Sequence, residues 1–569
     1  MFIMHLSGYS VSINPSAQKN FEANVARMIA MLLYLHHDSN AITNQSSFFH
    51  YSLNTAFTMK KQILLLSAMA VFGLAQAQSP VIDWQKNYGG TQNDIAQDVI
   101  RTADGGYAVA GYTQSNNVDV VGAISGDDAW ILKLNAAGAI EWKKIFGGSA
   151  DDRANAIIQT ANGDLVFAGT SNSTSGTISG AKGGFDGWVV RLTSAGTVLW
   201  SSNVGGSDDD AMFDLFEAPT GALVVAGESK SDIAGTTNRG GYDFYLVALR
   251  NSGTVIYQKQ YGGGSDEGAR GVTQLGNSIV MAGTTASDNG NVTGNKGGND
   301  IWVVRTRTNG NPIFAQTYGG ADSDEGFDIA ANASGELFVV GSSLSSNADL
   351  PGNFGNRDFF VLKLNASGTK LFSRNYGGLN DEVALSVAAT ADGGAAVAGY
   401  SESATGQVGA NYGAQDFWFT KLSGTGIIEE EINLGGSDND VAYAVIPSAG
   451  SYVLAGFSES DDQDLTNNRG NADYWILKLT FAGTRMAAPE VAGLSMTSFP
   501  NPAVDRLVVQ ADVNLVQVEV YDAMGRMVMV QQANGQVQEL NVSEFPDGLY
   551  IITATTEAGD RMSNTISVR

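Results

Sequence analysis

The residues of this sequence whose types and spacing could do chemistry are its carboxylates. An Asp or Glu follows each of seven glycine pairs by four residues, and further acids cluster beside some of these turns. Clustered carboxylates are the hard oxygen ligands that Ca²⁺ prefers, although the EF-hand spacing is missing. Calcium is therefore the one cofactor that the sequence suggests. The candidate ligands are Asp208, Asp209, Asp210, Asp461, Asp462 and Asp464.

The recurrent acids also have a structural interpretation, which we prefer. An Asp side chain accepts hydrogen bonds from backbone N–H groups in a tight turn, and the glycines before it permit positive φ. A carboxylate that returns in every repeat is therefore expected to close a turn, with metal binding as the alternative. The seven acids are Asp94, Asp152, Asp210, Glu267, Asp324, Glu382 and Asp440.

Composition excludes the familiar nucleophilic triads. The chain has no cysteine, and its four histidines all precede a segment that we interpret below as a signal peptide. Disulfides, thiolate metal sites and histidine-ligated metal sites are excluded for the same reason. A pair of carboxylates could still hydrolyse a glycosidic bond. Since no acid cluster breaks the repeat, we expect a protein that is not an enzyme, and a carboxylate-dependent glycan-degrading enzyme is the alternative.

The elements that position these acids form an internal repeat with a period of 57 or 58 residues. A second marker, Asp-x-aromatic, keeps the same period, which indicates one structural unit used seven times. We expect these aromatic rings to lie in the core between units. The glycine pairs begin at 89, 147, 205, 262, 319, 377 and 435. The aromatic residues are Trp130, Trp188, Tyr245, Trp302, Phe360, Trp418 and Trp475.

Each unit contains four runs rich in β-branched and aromatic residues, separated by Gly, Asn and Asp, which predicts four strands. Four strands in such a period are typical of a propeller blade, so residues 81–483 are predicted to form a seven-bladed β-propeller. The first repeat begins with a lone strand at 81–88, which we expect to pair with the strand that begins at Asp473 and so to close the ring. The variable loops, expected at one rim as the binding surface, are 113–127, 171–185, 228–242, 285–299, 342–357, 400–415 and 457–472.

The charge balance of the 569-residue chain disfavours some partners. Lys and Arg number 32 against 58 Asp and Glu, so nonspecific attraction to nucleic acid or anionic lipid is unfavourable. The expected ligand is a glycan or a protein.

The front of the chain contains an export signal. Met59, Lys60 and Lys61 form a basic start, an apolar stretch follows at 63–74, and Ala75-Gln76-Ala77 is a small-residue cleavage site, so residues 59–77 are predicted to be a signal peptide. Residues 1–58 are then interpreted as an over-extended, unstructured start. The apolar stretch is shorter than the roughly 20 residues of a membrane helix, so we expect no membrane span in the mature chain.

Two resemblances follow from the motifs. The glycine pair, its acidic turn and runs such as GYAVAGYT resemble SBBP-type propeller repeats of secreted Bacteroidetes proteins over residues 81–483. After a linker at 484–493, residues 494–569 resemble the type A sorting domain of the type IX secretion system. The matching residues are Pro500, Asn501, Pro502, Tyr521, Asp522, Gly525, Gly548 and Tyr550.

The second resemblance implies a route and a location. It implies recognition of the tail by the type IX secretion machinery in the periplasm, and delivery of the chain outside the cell or onto the outer-membrane surface. The strand pattern predicts that the tail is a small Ig-like β-sandwich. We therefore expect a secreted or surface-attached propeller that acts as a non-catalytic binding module, with a calcium-stabilised structural surface protein as a further alternative.

Overall fold

The computed structural model describes most of the chain after residue 79. It covers residues 80–481 except 124, 179, 351, 410, 449 and 466, and in the tail 496–499, 503, 505–522, 527–543, 545–546, 548–556 and 561–568. The chain divides into the units Met1–Ala77 and Gln78–Arg569. In the first unit only the paired two-residue strands His5–Leu6 and Tyr9–Ser10 are described, so the predicted signal peptide lies outside the described residues.

The main body of the second unit consists of seven four-stranded antiparallel sheets, which are the blades. The first strands are Asp94–Arg101, Asp152–Gln159, Asp210–Glu217, Glu267–Leu275, Asp324–Ala331, Glu382–Ala389 and Asp440–Ser448. The second strands are Tyr107–Thr113, Leu165–Ser171, Leu223–Ser229, Ser278–Thr285, Leu337–Ser343, Ala395–Ser401 and Ser451–Ser458. The third strands are Asp128–Leu134, Asp186–Leu192, Asp243–Leu249, Asp300–Arg307, Asp358–Leu364, Asp416–Leu422 and Asp473–Thr480.

The fourth strands are Ile140–Phe146, Val198–Val204, Val255–Tyr261, Pro312–Tyr318, Lys370–Tyr376, Ile428–Leu434 and, for the seventh blade, Val81–Tyr88. This last strand pairs antiparallel with the third strand of the seventh blade, with Tyr88 opposite Tyr474 and Val81 opposite Thr480. The predicted closure of the ring by the two ends of the repeat region is therefore confirmed. Blades are numbered one to seven in the chain order of their first strands.

The order of strands within a blade follows from burial and from contacts between blades. Each first strand contacts the first strand of the next blade, and that of blade seven contacts that of blade one, so the first strands surround the central axis. The third strands are buried along most of their length because a neighbouring blade covers each face. The fourth strands carry most of the exposed positions and form the outer edge. The seven-bladed propeller predicted from the sequence is confirmed.

The recurrent aromatic residues lie between blades, as expected. All seven are at most 1% exposed. Trp302, for example, packs against Phe244 of the preceding blade with ring centroids 4.6 Å apart. Such buried aromatic pairs add to the area term of the hydrophobic effect, so each blade is fixed against its neighbour.

The described part of the tail forms five strands, Met496–Phe499, Arg506–Asp522, Met527–Asn541, Gly548–Thr556 and Arg561–Val568. The long second strand pairs with the first, the third and the fourth, and the fifth pairs with the fourth. One apolar core, which includes Leu507, Val518 and Ile552, fills this sheet. The tail is all-β as predicted, and its Ig-like topology stays a prediction.

Candidate functional site

The seven recurrent acids lie at the start of the innermost strands, on the rim that also holds the variable loops. Asp210 is fully buried, and its Oδ2 accepts hydrogen bonds from the backbone N–H of Gly206 at 2.7 Å and from the Ser231 hydroxyl at 2.8 Å. The other six acids accept the same bond from the second glycine of their own pair, at 2.6 to 2.8 Å. These bonds satisfy buried donors and close each turn.

The first three calcium candidates, Asp208, Asp209 and Asp210, have different environments in the structure. Asp208 is exposed, whereas Asp209 accepts a 3.0 Å hydrogen bond from the backbone N–H of Phe185 in the preceding loop. Burial raises the pKa of Asp210, and the nearby Asp186 carboxylate adds to the rise. The three side chains therefore follow the chain through the turn and do not share one focus.

The second set of candidates lies in the variable loop of blade seven. Asp461 accepts a 2.9 Å bond from the N–H of Asn467, which is in its own loop. Asp462 accepts a 2.8 Å bond from the N–H of Ser437, and the Asp464 carboxylate accepts one at 3.3 Å from Gly435. Among the described residues no group of three or more acids is arranged to hold a metal ion. Calcium binding stays a prediction.

The sorting-motif residues are described only in part. Pro500, Asn501, Pro502 and Gly525 lie outside the described residues. Asp522 pairs with Tyr550 and Tyr521 with Ile551 across two adjacent strands, and Gly548 begins the fourth strand of the tail. Tyr550 is buried and donates a 2.8 Å hydrogen bond to the carbonyl of Pro546.

A site that the sequence reasoning missed lies in the middle of the first strands. Each of these strands carries a β-bulge, where one extra residue faces no partner in the second strand. The bulge residue is half-buried in every blade, and since the first strands surround the axis, its exposed part faces the central channel. Bulges commonly redirect side chains beside functional sites. The seven bulge residues are Gln97, Asn155, Phe213, Arg270, Phe327, Leu385 and Tyr443.

We name these seven bulge residues and their neighbours on adjacent strands the bulge ring. The neighbours are Tyr112, Glu228, Glu325, Arg357, Tyr400 and Phe457. The side of the ring formed by blades six and seven is apolar, with Tyr443 and Leu385 packed against Tyr400 and Phe457. Burial raises the pKa of Tyr443 to about 12, and the hydroxyls of Tyr112 and Tyr400 add to the rise. Three tyrosines from three blades thus converge at one side of the channel.

The opposite side of the bulge ring combines charged groups with the aromatic bulge residues Phe213 and Phe327. The Arg270 guanidinium lies 3.9 Å from the ring centroid of Phe213 and 3.1 Å from a carboxylate oxygen of Glu228. Arg357 pairs with Glu325 at 2.8 Å in the same way one blade further on. This side therefore presents cations that are oriented by acids and aromatic rings.

Three carboxylates follow the bulges of alternate blades. Asp98, Asp214 and Asp328 each accept two backbone N–H bonds of 2.7 to 2.8 Å, one from the next residue and one from the first strand of the following blade. Burial raises the pKa of Asp98 to about 7 and that of Asp328 to about 6. Burial and the other two carboxylates raise the pKa of Asp214 as well. Each Asp therefore links its own blade to the next blade around the ring.

A signal for this site was present in the sequence. The position three residues after the recurrent acid is Gln, Asn, Phe, Arg, Phe, Leu and Tyr in blades one to seven, whereas the position before it is Ala, Gly or Met in every blade. This repeat position is therefore distinguished in the sequence by its changing residue type. The described part of the chain contains no helix that is long and apolar enough to cross a membrane.

Comparison with known proteins identifies the tail. Residues 497–569 match the secretion system C-terminal sorting domain family. The regulatory protein FlaEY of Caulobacter vibrioides is 24% identical over 205 residues, which cover 32% of this chain and about a fifth (20%) of that relative. Among solved structures, the WD40 propeller domain of Doa1 is 11% identical, with a TM-score of 0.41 over 72% of this chain and 100% of that one.

A second similar structure is PorZ, a surface component of the type IX secretion system of Porphyromonas gingivalis. It is 11% identical, with a TM-score of 0.23 over 87% of this chain and 86% of that one. The propeller itself rests on the strand pairing described above, and the address rests on the tail. The tail belongs to the C-terminal sorting domain family, and the chain is a β-propeller protein that the type IX secretion machinery recognises and exports to the cell surface or the extracellular space.

Proposed function

We propose that the propeller is a non-catalytic binding module and that its ligand site is the bulge ring of the central channel. One observation supports this most: the bulge residue is half-buried in every blade and yet changes its chemistry from blade to blade. Packing and turn positions repeat because every blade needs them. A position that the repeat does not fix, on a rigid scaffold and beside a channel, is where a ligand can select side chains.

The ligand class that fits the bulge ring is a glycan. A sugar ring has an apolar C–H face that stacks on aromatic side chains, and hydroxyl groups that need hydrogen-bond partners at its edge. Tyr443 and Tyr400 supply the aromatic faces. Gln97 in the adjacent blade and Arg270 across the channel supply donors. A few polar groups set among apolar side chains are typical of small-ligand sites.

A glycan array followed by calorimetry on the strongest hit tests the proposal. We expect Tyr443→Ala to weaken binding at least tenfold, because it removes a stacking face, and Gln97→Ala to weaken it less. Circular dichroism of each variant would show that the fold is retained. Glycan binding that both substitutions leave unchanged would refute the channel as the site.

The matched control is Tyr412→Ala. Tyr412 is 45% exposed in the variable loop of blade six, away from the inner strands. Binding that Tyr412→Ala abolishes and Tyr443→Ala leaves intact would move the site to the rim loops. An array without any hit, together with capture of a peptide segment by the wild type that Tyr443→Ala loses, would replace the glycan by a protein ligand at the same ring.

Glycan hydrolysis by carboxylates is the second candidate, and the channel provides a specific observation in its favour. Asp98 and Asp328 are half-buried carboxylates with pKa values raised to about 7 and about 6 by burial, which is the range that suits a general acid. Release of reducing ends from the array's best ligand, lost in both Asp98→Asn and Asp328→Asn, would establish this activity. Binding without turnover would reject it.

A further inference from the structure

Pairs of buried carboxylates meet where one blade joins the next. At the junction of blades five and six, Asp358 begins the third strand of blade five and Glu382 begins the first strand of blade six. Both side chains are 0% exposed. An Asp and a Glu are almost never fully buried unless each has partners, so the partners of these two groups decide their ionisation.

The partners account for every oxygen except one. Glu382 accepts bonds from the N–H of Gly378 at 2.7 Å and from the Ser401 hydroxyl at 2.8 Å. Asp358 Oδ2 accepts a 2.6 Å bond from the N–H of Phe354. Asp358 Oδ1 is buried and has no hydrogen-bond partner among the described residues.

This remaining oxygen lies close to the neighbouring carboxylate. Asp358 Oδ1 and Glu382 Oε2 both lie within 3.0 Å of one point, the position that a Cβ would take on Gly377. The glycine is therefore required because the two carboxyl groups occupy the space beside its Cα. Two charges so close at a buried position would repel strongly, whereas one proton between them would give the unpaired oxygen a partner.

The junction of Asp416 and Asp440, which faces the calcium candidate Asp464, repeats this arrangement. Three further junctions repeat it away from the calcium candidates. In each, Oδ2 of the third-strand Asp accepts a backbone N–H bond of 2.9 to 3.0 Å, and Oδ1 is buried without a partner among the described residues. In each, both carboxyl groups lie within 3.0 Å of the Cβ position of the first glycine of the pair. The pairs are Asp243 with Glu267, Asp300 with Asp324, and Asp473 with Asp94.

We infer that at the four junctions away from the calcium candidates the third-strand Asp is a protonated carboxylic acid that donates its Oδ1 hydrogen to the first-strand carboxylate of the next blade, so that the ring loosens when the proton is removed. The hydrogen bond would join two blades at the point where the chain crosses between them. On deprotonation the proton leaves to solvent, and a buried pair of like charges remains. The propeller would thus contain an array of identical acid-stabilised junctions.

The surrounding charges agree with this assignment. Burial raises the pKa of Asp358 to about 7, and Glu382 is the charged group that adds to the rise. Burial and the carboxylate of the partner raise the pKa of Asp243 to about 7 and those of Asp300 and Asp473 to about 6. The other charged groups that face these three acids are Arg239 at the first, Lys296 and Asp349 at the second, and Arg469 and Asp119 at the third.

The sign of the pH effect follows from these directions. An Asp in the unfolded chain has a pKa of about 3.9, so between that value and about 7 the folded state binds the extra proton. Folding is then most favoured at the acidic side of this window and loses stability as the pH rises through it. The high net negative charge of the chain acts in the same direction, so a test needs variants that separate the two effects.

The test is thermal unfolding of the full chain and of Asp358→Asn at about pH 5.5 and about pH 8.5. The amide of Asn keeps the acceptor for Phe354 and donates to Glu382 at every pH. We expect the variant to unfold on the order of 2 °C above the wild type at the higher pH and to differ little at the lower pH. The combined Asn variant at 243, 300, 358 and 473 should enlarge the difference.

The matched control is Asp322→Asn. Asp322 is exposed in the equivalent turn of blade five, so this variant removes one negative charge without touching a pair. It should keep the pH dependence of the wild type. A pH dependence that is identical in wild type, Asp358→Asn and Asp322→Asn would show that net charge alone is responsible and would overturn the inference.

Infrared spectroscopy reads the proton directly, even if the combined variant does not fold. The C=O stretch of a protonated carboxyl group should be present in the wild type at neutral pH, disappear at alkaline pH and be weaker in Asp358→Asn. Its absence at neutral pH would contradict the inference. A rise in unfolding temperature with added calcium at alkaline pH that Asp358→Asn abolishes would show that a metal ion, and not a proton, joins the two groups.

Discussion

The blade junctions and the bulge ring lie on the same inner strands, only a few residues apart, and they differ in what repeats. At the junction the glycine, the acid and the hydroxyl donors return in nearly every blade, and the first-strand acid accepts the same backbone hydrogen bond each time. At the bulge the backbone distortion returns in all seven blades, but the side chain does not. The fold thus repeats what closure requires and leaves open what a ligand contacts.

Two phenylalanines of blade five should show the largest difference in stability between a position in the core and a position in the bulge ring. Phe360 is 0% exposed between blades, whereas Phe327 is the half-buried bulge residue. Phe360→Ala should lower the free energy of unfolding by about 3–5 kcal/mol because it leaves a cavity. Phe327→Ala should cost about 1 kcal/mol, since less surface returns to water. Urea unfolding of both variants measures this, and equal losses would place the bulge ring in the core.

Substitution of two glycines should distinguish a crowded blade junction from an open position in a loop. A Cβ on Gly262 would lie within 3.0 Å of carboxylate oxygens of Asp243 and Glu267, whereas at Gly298 the nearest atom is 3.6 Å away. Gly262→Ala should destabilise the propeller by about 1–3 kcal/mol through overpacking, and Gly298→Ala should be nearly neutral. Thermal unfolding is the measurement. A neutral Gly262→Ala would mean that the carboxyl pair can move apart without cost.

Asp98, Asp214 and Asp328 directly follow bulge residues but are expected to stabilise the fold, because each bonds to the next blade. Asp214 accepts bonds from Leu215 and from Val272 of the next blade, each at 2.7 Å. Asp214→Ala should cost about 1–3 kcal/mol because it removes these acceptors. Gln97→Ala at the same level should change stability by less than about 0.5 kcal/mol. A stable Asp214→Ala would assign the carboxylate to the ligand and not to the ring.

The smallest effect concerns an acid on the opposite rim. Asp104 binds the Lys133 ammonium at 2.8 Å, and this bond lowers its pKa to about 2. The stability from this bond is present above the ordinary pKa of Asp and is lost as the pH falls through about 2, which is the reverse of the junction acids. Because Asp104 is more than half exposed, Asp104→Asn should cost less than about 1 kcal/mol at neutral pH. Unfolding measured from acid to neutral pH should show no cost at the acid end, and a cost there would contradict the ion pair.

Much of this architecture follows from short sequence patterns. The period, the four strand segments of each unit and the turn acids are local features, so seven blades and their closure could be predicted. Trp302 and its counterparts were predicted to be core residues because a blade covered on both faces has to bury them. The bulge at Phe213 could not be predicted in the same way, because a one-residue shift in register depends on the second strand and not on the local sequence.

Only part of the candidate site could be predicted from the sequence. The acids at 208–210 and 461–464 stood out by composition, whereas their partners, such as Phe185 and Ser437, belong to neighbouring loops and blades that the sequence does not place. The unpaired oxygen of Asp358 is likewise a property of packing. Recurrence identified the residue, and the approach of the next blade determines its chemistry.

The sequence by itself determined the repeat, the number of blades and the sorting tail, because these depend on local patterns of turn residues, β-branched residues and short motifs. The tertiary structure alone decided that the acid-led strand is innermost, that residues about one repeat apart share one channel, and that buried carboxyl groups of successive blades lie close to each other. The physical reason is ring closure. It brings equivalent positions of different blades together, so their burial and charge depend on each other and not on the chain around them.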